Sequence, residues 1–339
     1  STGGGGNPHF SNVKRFGEAI NTPNVWEPGC AQCYLPRMGA SQLSNGMGKP
    51  NNLSFSDSNG WDYYFTDSPV DSLVLWGTDP ANSSVATGGR ALAELRAREQ
   101  GLKTVVIDPR MTMDAAKADV WLPIRPGTDA ALLMAWTKWI IDNEKYDEDF
   151  CTNWTNMPYL VNPETRLTLK PTECGLEGTD ADYVIWDPAQ GKPVVLEYPM
   201  NEGVTPPLFG TYEIDGKQYP TGGQLLKESV EEFTLAKAAE ICWLDEGQIE
   251  KALEIYTTGQ SGIMQGVPID QYEQSQQCAL GALNLEYLMG NVQKPGAMLQ
   301  SFKACPARDQ IPNTPRFLKK EKMLKRLGVQ EHKGLLDWD

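Results

Sequence analysis

Short, unbroken apolar runs alternating with amphipathic stretches constrain this chain more than any other feature. Residues 70–77 read VDSLVLWG. A run that apolar suits a strand buried on both faces. A polar loop, TDPANSSVATGG, follows it. Residues 90–100 then carry Ala91, Leu92 and Leu95 at helical spacing, and Gly101 stands where a helix C-cap falls. Lys103 to Asp108 (KTVVID) predicts a second strand, stopped by Pro109, and residues 117–124 a third around Val120, Leu122 and Ile124. Pro126-Gly127-Thr128-Asp129 leads into a predicted helix over 129–143, with Thr128 or Asp129 as its N-cap. The pattern predicts an α/β fold, a doubly wound and mostly parallel sheet of Rossmann-like kind.

The flanks differ in texture. Residues 151–224 are rich in Pro, Gly, Thr and Tyr with few helical periods, which predicts an irregular region with small hairpins. Residues 230–257 predict two helices, the second capped by Asp245. SGIMQGV at 261–267 predicts another buried strand, and 274–289 a helix that stops at Gly290-Asn291. The charged run RFLKKEKMLKR in the tail, 306–339, predicts a solvated helix. There is no internal repeat. A length of 339 residues suggests about two domains. The opening STGGGG resembles a strand-to-loop junction, so the chain is expected to be an excised piece of something larger.

Charge narrows the partners. With 30 Lys plus Arg against 44 Asp plus Glu, the net charge is −14, and nucleic acid is not expected as a partner because phosphate backbones need a basic face. No apolar run reaches the ~18 residues of a membrane span; the longest candidate, 130–141, is cut by Lys138. No basic segment followed by an apolar stretch opens the chain, so no signal peptide is read and the compartment stays open. With 32 Gly and 24 Pro, the composition suits a loop-rich enzyme acting on a small molecule. Seven cysteines without regular spacing argue against a disulfide scaffold. Two histidines, His9 and His332, leave little material for a Ser-His-Asp hydrolase or a His-rich zinc site.

Loops that follow parallel strands are where α/β proteins bind nucleotides. Three occur in order: Trp76, Gly77, Thr78, Asp79, Pro80, Ala81, Asn82 and Ser83; then Ile107, Asp108, Pro109 and Arg110; then Gly127, Thr128 and Asp129. Gly77 lets backbone approach a pyrophosphate, and Asn82, Ser83 and Ser84 can donate to it beside a helix N-terminus. Asp108 is placed to accept from ribose hydroxyls. Asp129 can accept the paired N1 and N2 hydrogens of guanine. Either aspartate alone favours the reading as a helix cap; three such loops in succession reverse that and favour the nucleotide reading. No GxGxxG is present.

Cys30-Ala31-Gln32-Cys33 is a lone CxxC. It reads as two small buried apolar residues, a redox pair, half a zinc site, or one thiolate on a transition metal.

VLWGTDPANSS, KTVVIDPR, ADVWLPIRPGTDAALLMAW and YDEDFCTNWT, in this order, with GALNLEYLMGNVQKPGAM downstream, resemble the dimethyl sulfoxide reductase family of molybdopterin oxidoreductases. The resemblance implies a molybdenum or tungsten ion held by two pterin guanine dinucleotides, the three loops above being the nucleotide sites. It also implies a protein ligand to the metal. The stretch PNVWEPG, then Cys33-Tyr34-Leu35-Pro36-Arg37, is similar to the Cys-ligated branch that includes acetylene hydratase, which makes Cys33 the implied ligand and catalytic residue. Asp79 stands where the family's loop usually has Asn. The resemblance implies that the family's N-terminal domain, with a 4Fe–4S cluster, and its C-terminal pterin domain are expected outside this stretch of sequence. The resemblance further implies a discontinuous α/β domain from 1–29 and 225–339, with 30–224 as an inserted nucleotide-binding domain. The implied partners are a small-molecule substrate and an iron–sulfur electron-transfer subunit. The piece alone is expected to be inactive, since each pterin lies between several domains.

Three functions follow. The first is the central part of a molybdenum- or tungsten-dependent oxidoreductase, or a hydratase or hydroxyltransferase on the same frame. The second is a nicotinamide-dependent dehydrogenase with an atypical loop, against which the missing GxGxxG and acid–base pair argue. The third is a non-catalytic relative keeping the fold as scaffold, against which the Cys33 segment and all three loops argue.

Overall fold

A computed structural model of the chain describes residues 16, 19–20, 35–45, 71–82, 89–198, 200–292 and 294. Two compact units divide the chain, one of residues 36–300, the other of 1–35 with 301–339. In the second, Ile20 N–H donates to the Phe16 carbonyl at 3.1 Å. The opening STGGGG, Cys30, Cys33, Ser83, Ser84 and the predicted tail helix lie outside the described residues.

The larger unit is mixed α/β around a parallel sheet. Its strands are β1 (Ser72–Trp76), β2 (Lys103–Ile107), β3 (Val120–Leu122) and a fourth, Ser261–Gln265, far along the chain. That fourth strand is β8 in chain order, because two antiparallel hairpins intervene: β4 (Val184–Asp187) with β5 (Lys192–Val195), and β6 (Thr211–Ile214) with β7 (Lys217–Pro220). The four-stranded order is β3-β2-β1-β8. Val74 lies opposite Val105 on one side and Ile263 on the other, and Trp76 lies between Ile107 and Gln265. β8 lies beyond position 225, where the resemblance puts a domain boundary, yet it pairs with β1.

The full burial of β1 explains its unbroken apolar run. Val74, Trp76, Ile107, Leu122 and Ile263 face one core, packed by α3 (Asp129–Asp142), α7 (Glu246–Tyr256) and α8 (Ser275–Leu288). Leu73, Leu75, Val106 and Met264 face the other, closed by Ala97 of α2 (Gly89–Glu99) and by Ala115. Each such aliphatic side chain contributes roughly 1.5–3 kcal/mol through burial. The remaining helices are α1 (Leu35–Asn45), α4 (Glu148–Trp154), α5 (Gly222–Val230) and α6 (Leu235–Cys242). Asp245 caps α7 as expected, accepting from Gln248 N at 2.9 Å. Ala40 of α1 packs with Ala279 and Leu283 of α8.

One topological fact positions the site. The chain leaves β1 toward α2 on one face of the sheet and leaves β8 toward α8 on the other. Loops that diverge at adjacent carboxyl ends open the crevice where α/β sheets take ligands.

Candidate functional site

Trp76, at the carboxyl end of β1, turns its indole toward the first turn of α3. Its Nε1–H donates to Asp129 Oδ1 at 2.7 Å. The Tyr272 hydroxyl, from the loop after β8, donates to Asp129 Oδ2 at 3.0 Å. Cys278 Sγ lies 2.7 Å from the same hydroxyl. Burial, then the Asp129 charge, pushes the Tyr272 phenol far up, so it keeps its proton. Burial likewise pushes the Cys278 thiol up to about 12. One phenolic proton cannot serve two acceptors, so the chain runs from Cys278 S–H to Tyr272 O–H to the Asp129 carboxylate. Beneath it, the Trp76 ring meets Trp136 edge-on at 5.6 Å.

The cap reading of Asp129 is therefore corrected. Thr128 holds the N-cap position but makes no side-chain cap bond. Its hydroxyl donates instead to the Arg125 carbonyl at 2.7 Å. The Asp129 carboxylate is held by tertiary partners, while its place in the first turn still suits the helix dipole.

Gly77 turns the chain out of β1 with φ 62°, a conformation that suits glycine. Its N–H donates to the Ile107 carbonyl at 2.8 Å, tying the first two loops together. Gly266 N–H donates to the Trp76 carbonyl at 2.7 Å. A Cβ on Gly266 would collide with the Gly77 carbonyl oxygen, so the β1 and β8 exits touch through backbone.

Past Thr78, Asp79 is buried, and its charge acts on the nearby Asp114 carboxyl. Asp114 Oδ2 also accepts from Ala81 N at 3.3 Å. Burial, then the Glu94 and Asp79 charges, pushes the Asp114 carboxyl up to about 7. Glu94 itself is paired with Arg98 at 2.6 Å. Asn82 is exposed, its N–H bonded to the Asp79 carbonyl at 3.1 Å.

At the end of β2, Asp108 Oδ1 accepts from Arg110 N at 2.8 Å, with Arg110 Nε at 3.7 Å. The Trp121 indole donates to the Asp108 carbonyl at 2.9 Å. Asp108 thus organises its own loop rather than a helix start, and the Arg110 side chain stays 76% exposed. Gly127, with φ 82°, makes the exposed turn before Thr128. Arg37, four positions after Cys33 in the sequence, donates from Nη1 to the Gln265 carbonyl at the end of β8, at 3.2 Å.

The three expected loops therefore gather at one end of the sheet, joined by the Trp76–Asp129 and Gly77–Ile107 bonds. Sequence reasoning missed a fourth contributor, the loop after β8 with Tyr272. The strand-end rule that found the other three applied to it equally. A cavity of about 440 Å³ lined by Asp71, Lys103, Lys251 and Glu254 lies by the amino ends of β1 and β2, away from these loops. Among the described residues, no group of three or more His, Cys, Asp or Glu side chains could hold a metal, and no helix is long and apolar enough to cross a membrane.

A parallel sheet with strand-end loops converging at its carboxyl edge defines a mixed α/β protein of the ligand-crevice kind. The chain belongs to the molybdopterin oxidoreductase family, whose model matches residues 33–332. It is 32% identical over 204 residues to a putative catalytic subunit of dimethyl sulfoxide reductase from Halobacterium salinarum, covering 60% of this chain and 24% of that protein. It is 31% identical over 145 residues to acetylene hydratase of Syntrophotalea acetylenica, covering 43% of this chain and 18% of that one. The structure of acetylene hydratase from Pelobacter acetylenicus superposes with a TM-score of 0.53 at 23% identity, covering 86% of this chain and 29% of that one. The chain thus spans about a quarter or less of the curated relatives named here. Family membership implies a molybdenum–pterin cofactor and sets the nicotinamide dehydrogenase reading aside.

Proposed function

We propose that this chain is the central part of the catalytic subunit of a molybdenum- or tungsten-dependent enzyme that grips a pterin guanine dinucleotide with its strand-end loops. The observation carrying the reading is the Asp129 carboxylate, held from two sides at the carboxyl end of the sheet. A carboxylate has about four lone-pair sites, so one donor on each oxygen leaves one on each for a guanine edge. Asp129 is half-buried and open to such a ligand. The residues fit the nucleotide: exposed Arg110 can meet ribose or phosphate.

Cys33 would supply the thiolate to the metal, and Arg37 anchors the helix that follows it in sequence. The bound group supplies two-electron or Lewis-acid chemistry on a small molecule. The whole protein would carry a 4Fe–4S cluster in an N-terminal domain and pass electrons to an iron–sulfur subunit. The similarity to acetylene hydratase supports a second reading, non-redox hydration or hydroxyl transfer on the same frame.

Elemental analysis of the whole protein is the first test, with molybdenum or tungsten expected near one per chain. Cys33→Ala should abolish turnover and change the metal–sulfur coordination seen by X-ray absorption, while Cys30→Ala should be mild. Full activity in both variants would sink the ligand assignment.

A further inference from the structure

The phenol of Tyr272 is held from behind by Cys278 and pointed at Asp129 Oδ2, while the Trp76 indole holds Oδ1. Two donors arriving at different oxygens fix both the rotation and the plane of a carboxylate. Trp76 ends a buried strand, and Cys278, which lies against the Tyr272 hydroxyl, is fully buried in α8. A free aspartate in the first turn of a helix would sample several rotamers.

We propose that Tyr272 is a specificity-positioning residue: by fixing the Asp129 carboxylate together with Trp76, it presents the remaining lone pairs as a preset acceptor pair for guanine. The proposal rests on the guanine reading of Asp129 given above. Guanine offers two parallel N–H donors and adenine offers no matching pair there, so a fixed plane favours guanine more than a mobile one. Cys278 acts one step behind, occupying the phenolic oxygen so that the hydroxyl proton turns toward Asp129. No covalent or redox step is involved.

The test is nucleotide binding by the cofactor-free whole protein, with GDP and ADP as probes and calorimetry as readout. Tyr272→Phe keeps the ring and should keep the fold. Because a lost hydrogen bond to a charged group is worth more than a factor of ten, the preference for GDP over ADP should fall by about tenfold. ADP affinity should stay near wild type and the melting transition should stay cooperative, which loss of general structure would not allow. Asp129→Asn should reduce the same preference at least as much. If Asp129→Asn acts and Tyr272→Phe does not, the positioning role is overturned and the guanine site stands. If the wild-type protein does not prefer GDP, or neither variant changes that preference, the guanine reading fails and takes this proposal with it.

Discussion

The indole Nε1 of Trp76 donates a 2.7 Å hydrogen bond to Oδ1 of Asp129, joining the carboxyl end of β1 to the first turn of α3. The two residues belong to different strand-end loops, so a single contact couples two of the loops proposed to bind nucleotide. With Tyr272 on the other oxygen, the carboxylate is both a structural hub and the candidate reader of a guanine edge.

Stability should reflect the hub. Asp129→Ala leaves the buried Trp76 N–H without its acceptor, at a cost of about 1–3 kcal/mol. Asp129→Asn should cost about 1 kcal/mol, since its carbonyl can still accept from Trp76 and its amide can donate to a reoriented Tyr272 hydroxyl. Urea unfolding of the two variants measures the difference. Equal, negligible losses would show that the Trp76 bond contributes nothing net.

Asp114 should make stability depend on pH. Its carboxyl rises from an ordinary value of 3.8 to about 7 in the folded chain, through burial and the Glu94 and Asp79 charges. Folding therefore takes up a proton between these values, and this contribution is fully present at low pH and lost as pH rises through about 7. Asp114→Asn mimics the protonated form and can still accept from Ala81 N–H. Its unfolding midpoint should exceed wild type at pH 8, with the gap closing toward pH 4. A gap that is constant across pH would show that Asp114 does not titrate in this window.

Glu286 is 3% exposed on α8, and burial pushes its carboxyl well above the usual carboxylate range. Its Oε1 accepts from Ile263 N–H on the outer edge of β8. Glu286→Gln keeps both shape and acceptor and should be tolerated. Glu286→Ala strands the Ile263 N–H and leaves a void, which should cost roughly 2–4 kcal/mol. Denaturant titration separates the two; a Gln variant as damaged as the Ala variant would mean that the native carboxyl is ionised.

Gly266 is needed for space, not for its backbone angle, because its φ of −86° is ordinary. A methyl group there meets the Gly77 carbonyl oxygen, backbone against backbone. Gly266→Ala should push the β1 and β8 exits apart, costing about 1–3 kcal/mol, the range of overpacked sites. It should also loosen Trp76, which a rise in the solvent quenching of tryptophan fluorescence would register. A variant as stable as wild type would show that the crossing has slack.

Much of this architecture could be read before any coordinate was known. The apolar runs of β1, β2 and β8 announce strands covered on both faces, and Asp245 announces the start of α7, because burial pattern and capping are local properties of sequence. The three strand-end loops were likewise found in place, since each follows directly from the strand before it. Other features arise from pairings that local patterns do not record. β8 joins β1 across 189 positions, from Ser72 to Ser261, so the strand order and the crevice beside it belong to the tertiary fold.

The roles of the carboxylates show the same division. The sequence by itself determined that Asp79, Asp108 and Asp129 would follow strands or open a helix. Only the tertiary structure decided what each carboxylate does: Asp79 is buried near Asp114, Asp108 orders its own loop, and Asp129 is gripped by Trp76 and Tyr272, which lie 53 and 143 positions away. The physical reason is that a hydrogen bond costs the same closure entropy for useful and useless partners of similar separation. Burial geometry selects among them, and that geometry exists only once the sheet has closed.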